Sequence, residues 1–451
     1  MRILGCWAIA LWLIGTPASA QLFHPETATL ENGLQVVVLP NHRAPVVMHM
    51  LWFKVGAIDE VWGKSGIAHF LEHLMFKGTP KHPEGEYSRL ISGMGGRENA
   101  FTSYDYTSYH AMVGKDNLSQ IMALEADRFQ NWRVTDEQVV RERDVVLKER
   151  QQITENNPVA AFFEEVNAIL YPNHPYQRPV IGWRNEIEAL NRKDAMDFVQ
   201  RYYVPENAIL VISGDVTLQD VLPLAKKYYG VLSKRDVLPR DIPQVAELNA
   251  KRVIEKQSPL VREVVWSRHK LVAPARADNI VQSDAMTVLQ KIMGDSRIGR
   301  LYRRLVVQEQ IATNAYIAFN PVSFGPAKFS IVVVPKPDVE LHVIDTVIDD
   351  EIKKLVQHGV TEDEVKNAVQ AMEIESVYAR DSVSAPAYIV GAALAVGLTL
   401  DIIEDAPNRI KIITADHVKQ AIATLFDEQD SWVTAIIKPE IKSLEKHQEA
   451  Q

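Results

Sequence analysis

The 451-residue sequence predicts an α+β protein made of two homologous α/β halves, each of roughly 200 residues, within the usual size of a domain. Three observations carry this expectation. Short runs rich in Val and aromatic residues alternate with stretches of helical periodicity. A stretch dense in proline and charge, Ser233 to Leu260, divides the chain. Two similar helix starts then recur on its two sides, Thr135-Asp-Glu-Gln138 and Thr361-Glu-Asp-Glu364, each with the Thr-x-x-Gln/Glu pattern of a capping box. A second internal match lays Leu71–Met75 on Leu289–Met293. Composition agrees, with 47% hydrophobic and 24% charged residues, enough to bury large cores. Lys+Arg 49 against Asp+Glu 58 gives a net charge of -9. That leaves no basic field of the kind a phosphate backbone needs, so nucleic acid is not an expected partner.

In chain order, Met1-Arg2 is basic, Ile3 to Ile14 is mostly apolar and Ala18-Ser19-Ala20 is a small-residue cleavage signature. Residues 1–20 therefore read as a secretory signal, whose apolar run is well short of the ~20 residues a spanning helix needs. The single cysteine, Cys6, lies inside it, so the mature chain has neither a disulfide nor a thiolate ligand, and any metal must use His and carboxylates. Gly33–Pro40 and Val46–Val55 read as strands. Helical patterns follow at Gly66–Phe76, Glu86–Met94, Asn117–Trp132 and Asp136–Gln152. Gly95–His110 reads as a Thr/Tyr/Phe-rich strand entered through a glycine turn, and Ala208–Ser213 as a buried strand. The apolar run Ala387–Leu400 is too short for a span and reads as a buried core helix. The domain boundaries expected from this pass are 1–20, 21–235, a linker at 236–260, and 261–451.

The most informative segment is His69-Phe-Leu-Glu-His73. On a helix, i and i+4 share one face, so both imidazoles can reach one zinc ion with Glu72 on the same side. The order is the inverse of His-Glu-x-x-His. Such chemistry needs the glutamate near the metal but not bound to it, where it takes the proton as water attacks a carbonyl. Glu142 and Glu149 also share a helix face. By spacing alone, solvated ion pairs with the neighbouring arginines account for them better than a metal does.

With these motifs the chain resembles the pitrilysin/insulinase-type zinc metallopeptidases, the inverzincins. It is most like their half-length members, such as the β subunit of mitochondrial processing peptidase and bacterial secreted relatives. The match is strong from Leu30 to Asp215 and looser in the second half. The resemblance implies an antiparallel-rich mixed sheet in each half, with helices packed on one side, the whole forming half of a clamshell. It implies one Zn2+ per chain held by His69, His73 and Glu149, with Glu72 as general base and Glu142 supporting the site. It also implies that Asn99, Ala100, Phe101 and Thr102 form an edge strand to which a peptide substrate adds. His174-Pro-Tyr176, Ile181-Gly182, Tyr202–Asn207 and Gly214-Asp215 match the family's first-half signature and read as structural.

The second half departs from the pattern. Thr287, Gln290 and Lys291 stand against His69, Glu72 and His73, so residues 21–235 are expected as the zinc-binding catalytic domain and 261–451 as an inactive copy. Relatives carry an Arg and a Tyr in that copy to hold the substrate carbonyl, whereas Val306 and Thr313 occupy those positions here. The expectation is a secreted, periplasmic zinc endopeptidase that hydrolyses peptides or unfolded segments in a closed chamber formed by dimerisation. Its partner is expected to be a related non-zinc subunit supplying the Arg/Tyr pair, with a homodimer as the alternative. A non-catalytic assembly or peptide-binding subunit of the same fold is the rival reading.

Overall fold

The computed structural model describes residues 22–246, 250–294, 298–427 and 431–440. The expected signal, residues 1–20, lies outside them. The Val-rich runs form strands whose residues are buried almost without interruption, as strands covered on both faces must be. The first sheet contains β1 (Glu26–Thr29), β2 (Gln35–Pro40), β3 (Val46–Phe53), β4 (Arg97–Thr102), β5 (Thr107–Gly114) and β6 (Ala208–Gly214), in the order β1-β2-β6-β3-β5-β4. The second contains β7 (Arg252–Ser258), β8 (Val265–Val272), β9 (Ala312–Phe319), β10 (Ala327–Pro335) and β11 (Val433–Pro439), in the order β7-β11-β8-β10-β9.

Apart from β1, the two sheets are wired identically. β2 with β6 and β7 with β11 are parallel, and every other pairing is antiparallel. The first half carries α1 (Ile67–Leu74), α2 (Glu86–Gly93), α3 (Leu118–Asn131), α4 (Asp136–Arg150) and α5 (Pro158–Leu170), among other helices. α1 and the helix Ile280–Gly294 occupy equivalent places between strands, as do α4 and the helix Glu362–Asp381. Both predicted capping boxes are present, at Thr135 and Thr361.

Each sheet packs its own helices on one face, and the other half supplies a helix for the opposite face. Val36, Val38, Leu51 and Phe53 face α1, α3 and α4, while Val37, Met50, Trp52 and Val211 face Ala387, Val390 and Leu394 of the helix Ala385–Ala395. In return, Phe162 and Val166 of α5 pack against Ala435 and Ile437 of β11. The apolar run near Ala387 is therefore the buried core helix expected, and it needs Gly391: a Cβ there would lie 2.1 Å from the Trp52 ring.

Two expectations change. Gly95–His110 forms two strands, because Ser103 to Tyr106 make a turn in which Ser103 N donates to Tyr106 O and Asp105 N to Ser103 Oγ. Within the stretch expected as linker, Arg252–Ser258 forms β7. It is an edge strand whose residues alternate between partly covered and exposed, and edge strands carry charge that masks their pattern in composition.

Candidate metal centre

The site begins with the loop that launches α1. Gly66, at φ +86°, precedes the helix, and the buried Glu60 carboxylate accepts from Gly66 N and Ala68 N at 3.1 and 3.0 Å. This satisfies two of the amides left open at a helix start. Ser65 N donates to Glu186, and Gly182 lies so close that a Cβ on it would stand 2.5 Å from Ser65 O. Gly182 O in turn accepts from Arg150 at the end of α4. One glycine peptide thus touches the beginning of α1 and the end of α4.

α1 and α4 then bring together the residues singled out in the sequence. His69 Nε2 lies 3.8 Å and His73 Nε2 3.3 Å from Glu149 Oε2, and the ligand atoms of all three residues lie within 4.8 Å of one another. A tetrahedral zinc ion bound at its normal N and O distances separates its ligand atoms by about 3.4 Å, so the residues fit the ion. Among the described residues this is the one such His/Cys/carboxylate group. Glu142 Oε1 sits 2.9 Å from His73 Nδ1, and as an acceptor it keeps that proton on Nδ1 and leaves Nε2 free as a ligand atom. Glu142 also bonds Lys77 Nζ at 2.5 Å. Lys77 follows His73 by one helical turn, a spacing visible in the sequence that could have drawn notice.

The charges are held in opposed states. Burial, together with the neighbouring His73, pushes His69 down to about 4. Burial also works against a charge on His73, but hydrogen bonds to Glu142 and Glu149 outweigh it and raise the ring to about 9, so without an ion Nε2 also carries a proton, which a bound metal would displace. Glu149 is lowered by its hydrogen bond to His73. Glu72 is raised by burial, only partly offset by the hydrogen bond from Thr102 Oγ1 to Glu72 Oε2 at 2.6 Å.

That bond links the site to β4, which is the free edge of its sheet. Ser103 N donates to Tyr106 O, so hydrogen-bonded pairs with β5 recur at Phe101 and Asn99. The backbone groups of Glu98, Ala100 and Thr102 therefore point to the open edge. Asn99 is exposed, with its Oδ1 accepting from Ala100 N. Phe101 turns away from the site and stacks on Tyr388 of the other half at 5.6 Å. His174 is elsewhere: it is buried, its Nδ1 accepts from Tyr176 N, and its ring packs against Gly325.

In the second half the equivalent positions are tied down differently. Thr287 Oγ1 donates to Ser283 O, Gln290 Nε2 to Ile317 O on β9, and Lys291 Nζ pairs with Glu375 at 2.7 Å. Counted from the two capping threonines, Glu375 is the counterpart of Glu149, so an ammonium bonds the carboxylate that in the first half faces two imidazoles. Thr313 Oγ1 is spent on Val334 O.

Residues 35–183 match the insulinase domain of peptidase family M16, and residues 189–372 match the peptidase M16 inactive domain. The zinc protease PqqE of Helicobacter pylori is 30% identical over 81% of this chain and 82% of its own length. The chain belongs to the insulinase family, M16. The β subunit of the bovine mitochondrial processing peptidase is 35% identical over 48% of this chain and 45% of its own. Against that relative the chain matches less than half the length. Among solved structures, a protease from Helicobacter pylori superposes with a TM-score of 0.84 at 27% identity, covering 92% of this chain and 99% of that one. The periplasmic protease PqqL of Escherichia coli gives 0.80 at 18% identity over 93% of this chain and 48% of its own, a likeness of fold alone.

Proposed function

We propose that this M16 chain is a secreted, periplasmic zinc endopeptidase that cleaves peptides or unfolded segments inside a chamber closed by dimerisation. The observation that carries the reading is the convergence of His69, His73 and Glu149 beside a Glu72 carboxylate held by the open edge strand. When bound there, zinc supplies the Lewis acidity that polarises a peptide carbonyl and acidifies water. The remaining work falls to the chain's own side chains. Glu72 takes the proton from the attacking water and returns it to the leaving amine, a role for which burial moves its pKa towards neutrality. Thr102 aims its carboxylate, and Glu142 holds His73 in the tautomer that presents Nε2. An extended peptide adds to β4 through the outward groups of Glu98 and Thr102 and the carbonyl of Ala100, whose N–H is held by Asn99 Oδ1, which favours unfolded substrates of varied sequence.

In this reading residues 1–20 are a signal, 21–235 the zinc-bearing domain, 236–260 the connection and 261–451 the inactive copy. The periplasmic placement rests on the secretory pattern of residues 1–20. Val306 and Thr313 cannot polarise a carbonyl. A related non-zinc subunit with Arg and Tyr at those positions completes the site, as suits a chain similar to a protein called a subunit.

Cleavage of a quenched library of unstructured peptides tests the reading, using the zinc-loaded chain with and without such a subunit and Glu72→Gln as control. The expected result is cleavage by the pair and a loss of about 10²–10⁴-fold in Glu72→Gln with zinc content unchanged. Cleavage that survives Glu72→Gln would sink the assignment of the base. Full turnover by the chain alone would replace the heterodimer with a homodimer.

A further inference from the structure

The Glu142 carboxylate, 6% exposed, is bound at both oxygens, with His73 Nδ1 on Oε1 at 2.9 Å and Lys77 Nζ on Oε2 at 2.5 Å. Lys77 lies in the short 3-10 turn Met75–Lys77 that continues α1, so it hangs from the same helical stem as His73. Its ammonium also bonds Glu84 Oε1 at 2.9 Å, and its carbonyl accepts from Gln138 Nε2 on α4. The lysine is therefore fixed from two sides and reaches Glu142 from the flank away from His73. A carboxylate with a single donor can rotate about its last bond, whereas one held at both oxygens cannot.

We infer that Lys77 is a positioning residue for the metal centre: it locks the Glu142 carboxylate so that His73 keeps its proton on Nδ1 and turns Nε2 to the ion. The inference rests on the zinc reading above and extends it to a residue that touches neither ion nor substrate. It makes a prediction of sign. A cation near a metal site repels a divalent ion, so on charge alone Lys77→Met would tighten zinc binding. If the lysine acts through Glu142, the same change weakens binding, by about 10-fold, the low end of what loss of an outer partner costs.

The test is zinc affinity of the full chain by competition with a chromophoric chelator, which needs no substrate. Wild type, Lys77→Met, Lys77→Arg, Glu142→Gln and the Lys77→Met/Glu142→Gln double variant are compared, with Glu84→Gln as a control for the loop tie alone. Lys77→Met is expected to weaken zinc about 10-fold, Lys77→Arg to restore most of the loss, and Glu84→Gln to remain within about 2-fold of wild type. On the Glu142→Gln background, Lys77→Met should cost nothing further, since its route is already cut. Equal or tighter binding by Lys77→Met overturns the inference, and so does an undiminished cost in the double variant, which marks a merely structural lysine. A wild-type chain that binds no zinc at all would instead refute the underlying zinc reading, and is told apart by that first measurement.

Discussion

Gly182 shows how a residue without chemistry governs residues that have it. Its φ of +90° is a conformation that L side chains rarely adopt, and its Cα packs against Gly66 at the head of α1 while its carbonyl holds Arg150 beside Glu149. A methyl group would meet Ser65 O at 2.5 Å, and something must move. Gly182→Ala is expected to destabilise the chain by more than about 1 kcal/mol. It should also weaken zinc in the same preparation, because α1 and α4 no longer share an anchor. Thermal unfolding and chelator competition measure the two effects. A variant that loses stability and keeps full zinc affinity would show that the anchor serves folding alone. Thr102 is the matching case on the strand side. Its hydroxyl holds the Glu72 carboxylate from the open edge strand, so in the proposed peptidase the base and the substrate strand are aligned by one bond.

At the level of elements, the exchange of helices between the halves makes each sheet depend on the other half for one face. The helix Ala385–Ala395 comes within reach of Trp52 only because Gly391 lacks a side chain. Replacing Gly391 by Leu should cost about 1–3 kcal/mol or more through overpacking, read as a fall in the urea midpoint. An unchanged midpoint would mean that the helix can slide on the sheet without loss. The helix pairs repeat the same design with different glue. α1 and α4 are joined through imidazoles and a carboxylate suited to a metal, while the helices Ile280–Gly294 and Glu362–Asp381 are joined by Lys291 and Glu375. The second pair carries its own cation. Chelation is therefore expected to speed amide exchange in α1 and α4 and to leave the second pair unaffected.

Across the whole molecule, three buried histidines among the described residues, all outside the candidate metal centre, are held neutral by burial. His49 in the first sheet and His174 between the halves are lowered to about 4, and His269 in the second sheet to about 3. Their folded pKa values lie below the unfolded 6.5, so the unfolded chain binds more protons in acid. The stability they confer is complete above about 6.5 and is lost as pH falls towards 4, at up to about 1.4 kcal/mol per pH unit for each ring. Midpoints of unfolding measured from pH 7.5 to 4.5 should fall steadily. A His269→Gln variant, whose amide can still meet Ser267 and Ser330, should fall less steeply. A flat profile would show that these rings charge in place.

What the sequence determined by itself is what depends on neighbours along the chain. The face shared by His69, Glu72 and His73 follows from helical spacing, the starts of α4 and its second-half counterpart follow from their capping threonines, and the buried strands follow from unbroken apolar runs. The α+β class and the doubled architecture were legible for the same reason. The turn at Ser103 and the exposed edge strand β7 were not, because a four-residue turn and a charge-bearing edge leave no periodic signal. Tertiary structure alone decided which groups meet across distance: Thr102 with Glu72, Lys77 with Glu142, Gly182 with both helices, and each half's helix with the other half's sheet. These contacts join segments far apart in sequence, and the packing of whole elements, rather than any local preference, sets their distances.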